Sequence, residues 1–138
     1  MTIEEIKNLM ESLTDYSDSE TKATLELKAS VHEEIRQEYV INADIILDKE
    51  KVGEIIFTFL IDKNSLKLSY SDMSEELIGQ GIGGRYVEYA TNKASQAGAD
   101  YIFANAVSDV AKNMYVSAGW TTAPSELGDA GEILALKL

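Results

Sequence analysis

Four glycines fall within six positions of the stretch IGQGIGGRY, residues 78–86, directly before an amphipathic run. Gly79, Gly81 and Gly84 satisfy the spacing G-x-G-x-x-G, a pattern associated with nucleotide phosphates. Glycine suits that task because it lets another group approach the backbone closely and adopts conformations that a side chain forbids. At a helix start, the first N–H groups lack partners inside the helix and can receive an anion. A simple turn needs only one or two glycines, and further ones reduce local stability.

Two phosphate-binding machines do not fit the surroundings. A dinucleotide fold places its glycines in a tight turn directly after a strand, with an acidic residue about 20 positions on at the end of the second strand. Here MSEELIG separates the strand ending near Asp72 from the rest of the loop, and Asp100 precedes its strand instead of ending it. A P-loop ends in Gly-Lys followed by Ser or Thr, whereas this loop ends Gly83-Gly84-Arg85.

The elements that must position the loop follow from periodicity. Residues 2–13 place Ile3, Ile6, Leu9, Met10 and Leu13 at helical spacing, with Thr2 as N-cap before Glu5. DYSDSE reads as a polar connection and ATLELKA as an alternating strand. EYVINADIILD and GEIIFTFLID flank KEKVG as a β-hairpin, and SLKLSYSD adds a further strand after DKN. Beyond the glycines, Ile82, Tyr86, Ala90, Ala94 and Ala97 recur at helical spacing up to Gly98, a natural stop. DYIFANAV is a short apolar strand. SDVAKNMYVSAG reads as a helix capped by Ser108 or Asp109 and ended by Gly119. GWTT and EILALKL read as two strands around a loop containing Pro124, the sole proline. The order predicts a mixed α/β arrangement with antiparallel N-terminal strands, and no internal repeat or linker divides residues 1–138.

Composition narrows the partners. The chain of 138 residues carries 24 acidic and 12 basic side chains, a net charge of −12. Such a surface repels nucleic acid and anionic membranes and attracts cations. There is no cysteine, so no disulfide or thiolate nucleophile is available. His32 is the only histidine, and no calcium-loop pattern occurs, so no metal is expected. The start MTIEEIKNLM lacks the basic and apolar regions of a signal peptide, and no apolar run approaches bilayer length. A soluble, cytoplasmic location is expected.

Residues 73–107, MSEELIGQGIGGRYVEYATNKASQAGADYIFANAV, resemble the acetyl-coenzyme A loop and helix of the GNAT acetyltransferases. That pattern runs arginine or glutamine, two residues, glycine, one residue, then glycine or alanine. Gly81 and Gly83 take the two small positions, and Glu76 falls where glutamate is frequent. Ile78 stands where arginine or glutamine is usual. SDVAKNMYVSAGW resembles a second family segment through Ala111, Tyr115, Gly119 and Trp120, with Ser108 where asparagine is common. The resemblance extends over about residues 50–138.

The resemblance implies a GNAT-like fold, with central strands that splay and a C-terminal β-α-β-β unit, and acetyl-coenzyme A as cofactor. The backbone of Gln80, Gly81, Ile82, Gly83 and Gly84 would hold its pyrophosphate, and Arg85 could add a charged contact. The N–H of Met73 would face the thioester carbonyl. Tyr115 would be the general acid toward the departing thiolate. Asp72 is the leading general base, with Glu54 and Asp44 on the preceding hairpin behind it and available to a cationic substrate. The implied acceptor is a primary amine on a small molecule or on a basic peptide or protein. The family usually begins with a strand and two helices that shape the acceptor pocket. Here only ASVHEEIRQ lies between the first two strands, room for one short helix or for continuous strands. A non-catalytic acidic binding module and a cofactor-holding regulator are the alternatives. The chain could be monomeric, or a homodimer through an apolar edge strand EILALKL, a stretch that pairing inside the domain would explain equally well.

Overall fold

The computed structural model describes residues 1–71, 81–106, 108–127 and 133–138. Thr2 and Glu5 start helix α1 (Ile3–Ser12) by a reciprocal capping box: Glu5 N donates to Thr2 Oγ1, and Thr2 N donates to Glu5 Oε1. Each bond satisfies an N–H that the helix itself leaves without a partner. Ile6, Leu9, Met10 and Leu13 make the buried stripe, while Ile3 stays exposed.

Four strands follow as an antiparallel meander: β1 (Thr24–Glu33), β2 (Glu38–Leu47), β3 (Glu50–Leu60) and β4 (Ser65–Ser71). Between ATLELKA and EYVINADIILD, β1 runs on to Glu33 and a turn over residues 34–37 leads into β2, with no helix inserted. The β2–β3 turn is tighter than KEKVG suggests, because only Asp48 and Lys49 turn. Both have positive φ, as a two-residue hairpin matching the twist of its strands requires. β2 alternates strictly, burying Tyr39, Ile41, Ala43, Ile45 and Leu47 toward the helices.

Helix α2 (Ile82–Ala97) buries Ile82, Tyr86, Val87, Ala90 and Ala94, and Gly98 at φ 91° closes it by donating to Ala94 and Ser95 carbonyls. Then come β5 (Tyr101–Asn105), α3 (Asp109–Ser117), β6 (Thr121–Thr122) and β7 (Ile133–Lys137). The seven strands of the described residues form one sheet in the order β1-β2-β3-β4-β5-β7-β6. β4 and β5 are its parallel pair, joined through α2; the other neighbours are antiparallel. α1 packs on α2 and covers β2 and β3, while α2 lies over β5, and Ile55, Phe57, Phe59, Leu66, Leu68 and Ile102 form the centre of the core.

The C-terminal strand decides between the two readings of EILALKL in favour of pairing inside the domain. EILALKL is not an exposed edge: β7 pairs with β5 on one side and with β6 on the other. The edges are β6, two residues long, and β1, exposed along most of its length.

Candidate active site

The parallel pair sets the site. Pairing runs from Ser65↔Tyr101 to Leu68↔Ala104 and stops there, although β4 continues to Ser71. β4 keeps its bond to β3 as far as Glu54↔Ser71, and β5 keeps β7 as far as Asn105↔Ile133. Each strand therefore follows its outer neighbour, and the sheet opens between them. α2 and α3 both begin beyond the carboxyl ends of this pair, where open α/β sheets place their ligands.

α2 starts at Gly81, whose φ of 71° lies in the left-handed region and which has no side chain of its own to cap the helix. Intrahelical bonding begins when Arg85 N donates to the Gly81 carbonyl at 3.1 Å. A Cβ on Gly81 would lie 2.8 Å from Arg85 Nη1, one on Gly83 would lie 3.3 Å from Met114 Sδ of α3, and one on Gly84 would enter open space. Two of the three glycines thus let other parts of the chain come close, while Gly84 leaves room beside the helix start.

Arg85 folds back over Gly81 to the connection between α1 and β1. Its Nε and Nη2 donate to the two carboxylate oxygens of Asp18, at 2.6 and 2.9 Å, and Nη1 meets Glu20 at 2.9 Å. Asp18 is fully buried and also accepts from the Tyr16 hydroxyl, the Thr21 N–H and the Thr21 hydroxyl. Those bonds, led by Arg85, hold the Asp18 carboxyl well below the usual range against the opposing effect of burial, and Asp18 in turn raises Arg85. The same segment is fastened to α2 by hydroxyls: Tyr86 donates to the Leu13 carbonyl, and Tyr89 to those of Ser12 and Asp15. Asp18 was hidden in sequence within DYSDSE, where nothing separates a solvated carboxylate from a buried one.

Tyr115 lies on the buried side of α3, only 2% exposed, with its ring stacked on Trp120 at 4.6 Å. Burial pushes its phenol up to about 12. α3 is capped by Ser108, whose hydroxyl accepts from Ala111 N. The Trp120 Nε1 is buried without a hydrogen-bond partner.

Asp44 and Glu54 face each other across β2 and β3, at the end of the hairpin nearest Ser71. Two lysines share them. Lys28 Nζ lies 3.6 Å from Asp44 and 3.2 Å from Glu54, and Lys51 Nζ contacts both. A bulge aims each lysine: the β1–β2 register shifts at Lys28, and Val52 is the extra residue beside Lys51. Hydrogen bonds from Lys51 and then Lys28 hold Glu54 at about 2, which makes it a weak proton acceptor. Asp72, Met73, Ile78 and Gln80 lie outside the described residues. Among the described residues no group of histidine and carboxylate side chains could hold a metal ion, and no helix is long and apolar enough to cross a membrane.

No protein-family model and no curated protein matches the chain. Solved structures do match. A GNAT-family acetyltransferase from Staphylococcus aureus aligns at 17% identity and a TM-score of 0.56, over 72% of this chain and 68% of its own. An IAA acetyltransferase from Bacillus cereus aligns at 14% identity and the same TM-score of 0.56, over 84% of this chain and 99% of its own. The chain has the GNAT fold. A third structure, RimJ from Mycobacterium smegmatis in complex with CoA-disulfide, aligns at 16% identity and a TM-score of 0.52, over 71% of this chain and 53% of its own. In this chain α1 and a bonded connection precede the first strand.

Proposed function

We propose that this protein is an N-acetyltransferase, moving an acetyl group from acetyl-coenzyme A to a primary amine on a cationic small molecule, peptide or protein. One observation carries the reading: the β4–β5 opening, the glycine-rich start of α2 and Tyr115-bearing α3 meet at one end of the sheet, with Met114 against Gly83. The residues fit a phosphate there. Gly84 has space beside it, and the first turn has N–H groups that intrahelical bonding cannot use. When bound, acetyl-coenzyme A supplies an activated acetyl thioester.

In this scheme the N–H groups of Gly81, Ile82, Gly83 and Gly84, together with Gln80, receive the pyrophosphate. The Met73 N–H donates to the acetyl oxygen as charge grows there. A carboxylate, Asp72 foremost, takes the proton that the amine loses through a water. Glu54 and Asp44 would pair with the cationic acceptor in place of Lys28 or Lys51. As the new N–C bond forms and the C–S bond breaks, the Tyr115 hydroxyl donates to the departing sulfur. A phenol near 12 is a weaker acid than a thiol near ~8.5, so Tyr115 must regain its proton from water as it gives one up.

Calorimetric titration with acetyl-coenzyme A tests the first half. Saturable heat below about millimolar concentration, with thiol release from a panel of amines, is the expected outcome. The absence of any heat would remove the reading. Tyr115→Phe should lower kcat by about 10²-fold and leave cofactor affinity nearly unchanged. In the parent protein, kcat/KM for the amine should rise with pH as the amine deprotonates. No falling limb from Tyr115 is expected below about pH 11, because its phenol stays protonated there.

A further inference from the structure

We propose that Arg85 is a positioning residue for the first turn of α2, and that buried Asp18 holds it in place, instead of Arg85 contacting the pyrophosphate itself. The inference rests on the acetyl-coenzyme A reading above, but it is separable from it.

The geometry points one way. Arg85 presents Nε and Nη2 together to one carboxylate, the fork-to-fork arrangement that fixes direction as well as distance. The third nitrogen, Nη1, meets Glu20 on the same connection. A guanidinium held on three atoms by two carboxylates has little freedom to turn toward a third anion. A positive charge at a helix N-terminus is also unfavourable by itself, since that end already carries positive charge. Asp18 offsets this, so the pair can stand beside the anion site without contributing a net cation. Release of Arg85 would leave Asp18 ionised and fully buried, which is costly.

The pair acts on the site through Gly81. Arg85 Nη1 passes 2.8 Å from the place of a Gly81 Cβ, so the guanidinium lies against the left-handed residue that opens the helix. Arg85 N closes the first hydrogen bond of that turn on the Gly81 carbonyl. One residue therefore ties the turn at its backbone and, through its side chain, fastens it to a connection 67 positions earlier. The N–H groups proposed for the pyrophosphate inherit their direction from that anchoring. Gly81 then has a purpose beyond space for a phosphate: it lets Arg85 cross to Asp18.

The decisive comparison is Asp18→Asn, because the two roles predict opposite signs. Were Arg85 a direct phosphate ligand restrained by Asp18, removing that negative charge would free it and tighten acetyl-coenzyme A. As a positioning pair, Asp18→Asn should weaken acetyl-coenzyme A about tenfold by calorimetry, despite the lost repulsion. Arg85→Gln should weaken it by a similar factor, with Arg85→Lys in between. S-acetylpantetheine, which lacks the pyrophosphate, should bind all four proteins alike. With saturating acetyl-coenzyme A, kcat should stay within about twofold while KM for it rises.

A control covers variants that lose structure. Gly81→Ala should weaken acetyl-coenzyme A less in an Arg85→Ala background than in the parent, because its contact partner is gone. Tighter binding by Asp18→Asn, additive effects of Gly81→Ala and Arg85→Ala, or equal losses for acetylpantetheine would each overturn the proposal. Failure of the parent protein to bind acetyl-coenzyme A would instead overturn the functional reading.

Discussion

Asp18 and Glu54 are both carboxylates pulled below their ordinary pKa by basic side chains, and they sit in contrasting surroundings. Asp18 is fully buried, and its two oxygens meet donors from Arg85, Tyr16 and Thr21. Glu54 stands at the sheet surface, sharing two half-exposed lysines with Asp44. In the first cluster every donor is set by the fold, and loss of one leaves a buried charge unmatched. In the second, long flexible lysines hold two carboxylates next to water, which can replace either lysine. The buried cluster therefore fixes geometry, which a cofactor turn needs. The surface cluster keeps charge available in a rearrangeable form, which suits an acceptor of varied shape.

Three experiments sharpen the contrast, from the largest expected effect to the smallest. Asp18→Ala should lower the melting temperature by about 10 °C, whereas Asp44→Ala should lower it by only about 2 °C. Equal losses at the two sites would erase the distinction. Acid titration followed by carboxyl NMR should separate them next. Both groups have depressed folded values, so each stabilises above its unfolded value and loses that contribution as pH falls. For Glu54 the window runs from 4.5 down to about 2, and for Asp18 it extends lower. In about 1 M salt Glu54 should move back toward its ordinary value while Asp18 stays depressed, because screening reaches only the exposed cluster. A large salt shift at Asp18 would contradict its burial. Lys28→Ala should be the mildest, changing the melting temperature by under about 2 °C while lowering KM for a cationic amine by about twofold as a competing cation is removed. A raised KM would show that Lys28 supports the acceptor.

Much of the architecture was legible from local pattern. Thr2 and Glu5 announced the capping box, because its chemistry is complete within four residues. The spacing of Ile82, Tyr86, Ala90 and Ala94 and the stop at Gly98 outlined the buried face and the end of α2, since both helix face and left-handed cap are local demands. The hairpin was legible as a hairpin, but its turn was shorter than expected. The Val52 bulge takes up the extra residue, and a bulge is a property of the pairing, not of one strand. In the candidate site, Gly81 and Gly83 were legible as close-approach positions, yet the groups approaching them in this structure are Arg85 and Met114.

By itself the sequence determined the order and kind of the elements, the glycines that start and end α2, the acidic surface and Tyr115 on its helix. These depend on residue type and near spacing, which hydrophobic periodicity and backbone sterics translate directly. Tertiary structure alone decided where the β4–β5 ladder stops, that EILALKL is an inner strand, and that Asp18 meets Arg85 across 67 residues. Each of those is a relation between segments. A carboxylate in DYSDSE becomes a buried anchor only when α2 lays an arginine over Gly81 and closes water out.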